Sequence, residues 1–130
     1  MSSIIAEPST FTADPVAEFE LAAASAARVT RALLEMASGE GLPEPSDVRL
    51  EVLSAGARVT VQTEPDDLAA WADRLGGVIE THLRTGPTPG GYRHWGAKVD
   101  VAGVSVDLCA CAWLDAAEFA AAAAAEAVAS

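Results

Sequence analysis

Aromatic side chains are scarce in this sequence. Three Trp, three Phe and one Tyr stand among 130 residues, so a core has to be assembled mainly from Val and Leu. Hydrophobic residues make up 51% of the chain, but much of that is alanine, which removes little area from water when buried. Basic residues are scarce too. Eight Lys and Arg face nineteen Asp and Glu, for a net charge of −11. An acidic surface repels phosphate backbones, which argues against nucleic acid as a partner. The carboxylates are spread along the chain, so the acidity reads as a solvated surface and a nucleic-acid mimic is the weakest reading.

Long apolar runs are missing. No stretch of about 20 residues free of charge and breakers is present to span a bilayer, and Ala120 to Ala125 is too short and too weakly hydrophobic. The first residues lack a basic segment leading into an apolar one, so no secretory signal is expected. Only two cysteines occur, Cys109 and Cys111, and a disulfide across one intervening residue would be strained. They do not argue for an oxidising compartment, and a cytoplasmic protein is expected.

What is present is organised around Tyr92 to Trp113. Val99, Val101, Val104, Val106 and Leu108 alternate with Lys98, Asp100, Ser105 and Asp107, the period of two that marks strands with one buried face. Ala102-Gly103 supplies a two-residue turn, since glycine tolerates positive φ. Folding there pairs Val101 with Val104, Lys98 with Asp107, His94 with Cys111 and Tyr92 with Trp113. One face then carries the valines, Leu108 and Trp95. The other is charged near the turn and becomes apolar and aromatic toward Tyr92, His94, Cys111 and Trp113. That far end is expected to lie under a helix, against another subunit or around a ligand, with the first two preferred.

Residues 1–13 lack periodicity and are expected to be disordered. Asp14-Pro15 starts a helix over 14–38. Phe19, Ala22, Ala26, Val29, Leu33 and Met36 form its apolar stripe, with Leu21 and Leu34 on a second edge suited to a partner chain. Gly39 is the expected stop, and 39–47 reads as a linker. Strands follow at Val48 to Leu53 and Ala57 to Thr63. A helix over 64–76, capped by Thr63 with Asp66, carries Leu68, Trp71 and Leu75 on one face. Val78 to Thr85 is a third strand, with Ile79 and Leu83 inward and His82 outward. The long hairpin comes next. Asp115 and Glu118 then open a helix over 115–129, mostly alanine, anchored by Phe119 and Val128.

The expected fold class is α+β, α-β-β-α-β-β-β-α, a single domain over 14–130 with its sheet at 48–113. A crossover helix spanning one strand gives the order 2-1-3-4-5, antiparallel throughout. The Trp71 helix covers one face. The alanine-rich terminal helices cover the other or meet a second subunit.

Chemistry-bearing residues are few. His82 and His94 share the second face with Cys109 and Cys111. Two His and two Cys suit zinc in principle, but Cys-x-Cys on a strand separates its sulfurs and matches no zinc motif. Small buried cysteines under a helix are the simpler reading. A Cys111 nucleophile with His94 as base, oriented by Glu80 or Asp107, would still lack an oxyanion hole. Thr85 to Gly91 has two prolines and three glycines but not the Gly-Lys-Ser/Thr ending of a phosphate loop. No metal or cofactor is implied. The expected function is a non-enzymatic binding or accessory module acting through protein contacts, by self-association or with another protein. Its candidate contact residues are Tyr92, His94, Cys111, Trp113 and His82. A small enzyme or a ligand- or metal-binding protein using His82, His94 and Cys111 is the alternative.

Overall fold

The computed structural model describes residues 14–54, 56–87 and 89–129. The expectation of disorder at 1–13 lies outside these residues. The described chain is α+β: α1 (Pro15–Glu40), β1 (Asp47–Leu53), β2 (Gly56–Gln62), a 3₁₀ turn (Pro65–Asp67), α2 (Leu68–Leu75), β3 (Glu80–Thr85), β4 (Gly91–Val101), β5 (Val104–Leu114) and α3 (Ala116–Ala129).

The β4–β5 hairpin has the register its turn dictates. Val101 pairs with Val104, Lys98 with Asp107, His94 with Cys111 and Tyr92 with Trp113. Ala102 (φ 51°) and Gly103 (φ 82°) both take left-handed backbone, as a type I′ turn requires. The Gly103 N–H donates to Asp100 Oδ1 at 3.0 Å.

The strand order differs from expectation. It is β1-β2-β5-β4-β3, and β2 runs parallel to β5, so the sheet is mixed. The expected contact of β3 with β1 is not made. The expected pairing of β3 with β4 is made, but at the far edge of the sheet, and α2 leads the chain across to it. Exposure of strand edges explains the choice. β5 carries buried Val104, Val106, Leu108 and Ala110, and as an edge it would offer a long apolar strand for aggregation. Pairing it with β2, through Val59–Val106 and Val61–Leu108, places both strands inside the sheet. The edges fall to the shorter strands β1 and β3, which bear Asp47, Arg49 and Glu51, and Glu80, His82 and Arg84.

All three helices lie on one side, which corrects the placing of the terminal helices on the second face. α1 buries Ala26, Val29, Leu33 and Ala37 in the same cluster as Val59, Val61, Leu68, Trp71, Val106 and Leu108. α3 reaches that side at its end. A Cβ on Gly91 would stand 2.6 Å from the Phe119 ring, and Arg93 approaches Glu126 at 4.0 Å. Gly91 and Arg93 share the parity of buried Ala97. The apolar parity of every central strand points this way, so one layer of helices satisfies the whole apolar face.

Several boundaries move. α1 passes through Gly39, and Gly41 (φ 72°) is its left-handed cap. Leu42 N–H then donates to Ala37 O at 2.9 Å while its side chain packs on the core, which is what ends the helix there. Phe19 is 57% exposed, because the first turns of α1 overhang the β1–β2 turn. Thr63 is no helix cap. It is buried, and its Oγ1 donates to Glu64 O at 3.0 Å, while the chain enters α2 through the 3₁₀ turn. Val78 and Ile79 are exposed and precede β3. Gly76 ends α2 in left-handed backbone, and Gly77 lies so close over Ala97 and Val99 that pairing begins only at Glu80. The Asp115–Glu118 capping box is complete, with reciprocal bonds of 2.8 and 3.0 Å. Val128 is 87% exposed and anchors nothing.

Candidate functional site

Among the described residues, no helix lies on the second sheet face. Its side chains follow from parity and register. His82 stands opposite His94, and His94 opposite Cys111, so one row runs His82–His94–Cys111 across three strands. The next row is Arg84–Tyr92–Trp113. All five sequence-derived site residues therefore share the open face on adjacent rows. Tyr92 and Trp113 are 38% and 46% exposed and meet edge to face, with centroids 4.9 Å apart and planes at 72°. Tyr92 also lies 6.0 Å from the His94 ring. Such pairs contribute about 0.5–1.5 kcal/mol beyond the area they bury.

Cys111 is exposed and Cys109 half-buried, both as thiols, so neither is a core cysteine beneath a helix. The helices that would have covered them are drawn to the valine face. Burial, then Cys111 and Asp107, push the Cys109 thiol up, which lowers its thiolate fraction and so its reactivity. His94 is pulled below the ordinary imidazole range, first by burial, then by Arg84 and His82. No carboxylate is among the groups acting on it. An imidazole set up as a base by an acidic partner would show the opposite balance. Among the described residues, no three His, Cys, Asp or Glu side chains are grouped to hold a metal ion. The geometry accounts for this, since alternate residues on a strand stand about 7 Å apart.

One feature of this face escaped the sequence reading. Gly96 stands between Glu80 and Cys109 with no side chain of its own. It floors a groove of about 470 Å³ whose walls include His82, Lys98 and Asp107. The signal was available, because Gly96 interrupts an otherwise continuous row of side chains. The charged end of the face neutralises itself. Arg58 bonds Glu51 at 2.8 Å and approaches Asp107 at 4.0 Å, and Arg49 bonds Asp47 at 2.9 Å. On the helical side, Leu21 and Leu34 are exposed on the outer edge of α1, where the second apolar edge was expected.

Compared with known proteins, the chain matches no protein-family model, no curated protein and no solved structure. No helix among the described residues is long and apolar enough to cross a membrane.

Proposed function

We propose that this protein is a non-enzymatic binding or accessory module that works through protein contacts made by its open sheet face. One observation carries the reading. Among the described residues, the helices gather on one face of the sheet and leave Tyr92 and Trp113 as a partly exposed aromatic pair on the other. Aromatic residues are enriched at protein interfaces, and they carry much of the energy there. The test is purification of the untagged protein from cells that make it, beside a Tyr92→Glu/Trp113→Glu variant. The wild-type chain retains a stoichiometric protein partner, itself or another, and the variant loses it. Retention by both, or by neither, overturns the reading.

A second reading rests on the row His82–His94–Cys111, which the register brings onto one face. It makes this row, with the Gly96 groove, a site for a small ligand or for chemistry on one. A bound small molecule that co-purifies with the wild type and is lost on His94→Ala/Cys111→Ala substitution supports it. Retention of that molecule by the variant removes it.

A further inference from the structure

We propose that the open sheet face is a two-fold interface between two copies of this chain. The proposal rests on the protein-contact reading above and names its partner. The first argument is electrostatic. Two chains of net charge −11 repel one another, so self-association needs a face from which that charge is withheld. Parity places Asp47, Glu51, Glu80, Asp100 and Asp107 on the open face. It places Arg49, Arg58, Arg84 and Lys98 there as well, half of the Lys and Arg in the chain. The face is thus within one charge of neutrality, and nearly all the excess acid lies elsewhere. A basic partner would be drawn to the acidic remainder of the surface. On this face a second acidic copy meets little net repulsion.

Size is the second argument. Strands of 7, 7, 6, 11 and 11 residues form the sheet. At about 3.4 Å per residue and about 4.8 Å between strands, they project on the order of 700 Å². Side chains standing on that plane raise its accessible area to the ~800 Å² that each partner contributes to a standard interface. The composition fits as well. Tyr92 and Trp113 form an aromatic anchor at one end, and ion pairs already closed within the face cover the other. Two such faces would pack sheet on sheet, with the helical layers outermost.

Sedimentation velocity on the full chain, from low to high micromolar concentration, tests this. The wild type is expected to dimerise, and Tyr92→Glu/Trp113→Glu to weaken the dimer at least about a hundredfold, as loss of two aromatic anchors and their replacement by like charges does. Leu21→Glu/Leu34→Glu, on the outer edge of α1, is expected to leave it unchanged. Far-UV circular dichroism checks that each variant folds. Alkylation of Cys111 in the wild type gives a readout independent of any variant, and it is expected to slow as the protein is concentrated into the dimer. A wild type that stays monomeric overturns the proposal. So does a dimer that survives the Tyr92/Trp113 change but not the Leu21/Leu34 change, or Cys111 reactivity independent of concentration. A monomer that holds a different protein through Tyr92 and Trp113 overturns it too, while leaving the protein-contact function standing.

Discussion

The indole N–H of Trp71 donates to the backbone carbonyl oxygen of Pro43 at 2.9 Å, tying the middle of α2 to the connector that leaves α1. Trp71 is fully buried, and Glu40 and Arg74 close the same junction at the surface with bonds of 2.6 and 3.0 Å. The proline-rich connector is thereby held at its start and middle, and Ser46 N–H donates to Gln62 O at 2.7 Å at its far end, so α1 shares its core with the sheet. Trp71→Phe removes the donor and part of the ring. It is expected to lower unfolding free energy by about 2–4 kcal/mol, from a lost hydrogen bond and a partly filled cavity. Urea denaturation with an unchanged m-value checks this. A cost below about 1 kcal/mol would show that the junction is not a stability element.

How much of this was legible in the sequence depends on whether a signal is local. The β4–β5 register follows from a two-residue turn and a period of two, both contained in one stretch. The sharing of a face by His82, His94 and Cys111 follows from that register and the adjacent β3–β4 pairing. The β2–β5 pairing is different. It joins Val59 to Val106, 47 positions away, and is decided by which strands can tolerate an edge. Alanine-rich α1 and α3 carry too few large side chains to declare a side. An apolar end of a sheet face also reads the same whether a helix covers it or not, so the openness around Tyr92 and Trp113 was legible only from the fold.

The type I′ turn carries a residue that fits it poorly. Ala102 sits at φ 51°, where a Cβ is disfavoured and Asn is far better tolerated than Ala. Ala102→Asn is expected to stabilise the protein by roughly 0.5–1 kcal/mol without altering the fold. Thermal denaturation reads this as a raised midpoint. A lowered midpoint would mean that the turn is not the type described.

Gly91 is required by two neighbours at once. A Cβ there would overlap the Arg84 carbonyl oxygen and stand 2.6 Å from the Phe119 ring. Gly91→Ala is expected to cost about 2–3 kcal/mol, as overpacking against backbone does. In the Phe119→Ala background the cost should shrink without vanishing, because the Arg84 clash remains. A double-mutant cycle measures that coupling, and strict additivity would show that Phe119 does not rest on Gly91.

The two cysteines should differ in reactivity. Cys111 is exposed, whereas Cys109 is half-buried with its thiol pushed up by burial, Cys111 and Asp107. In dilute protein, iodoacetamide is expected to modify Cys111 faster by on the order of tenfold, because the thiolate is the nucleophile. Mass spectrometry of digested protein over a time course resolves the two rates. Equal rates would mean that Cys109 is not shielded.

His94 gives the pH dependence a direction. Burial, Arg84 and His82 all disfavour its imidazolium, so its folded pKa lies below the ordinary 6.5. Below that value the unfolded chain binds the proton more readily than the folded one. The stability associated with His94 is therefore fully present above about pH 6.5 and declines as pH falls toward the folded value. Imidazole titration by NMR should place His94 below the ordinary value. Arg84→Gln should raise it only partly, because burial is the larger cause. His94→Gln should remove the matching slope from urea midpoints measured between about pH 5 and pH 7.5. A His94 that titrates at or above the ordinary value would show that burial and Arg84 do not govern it.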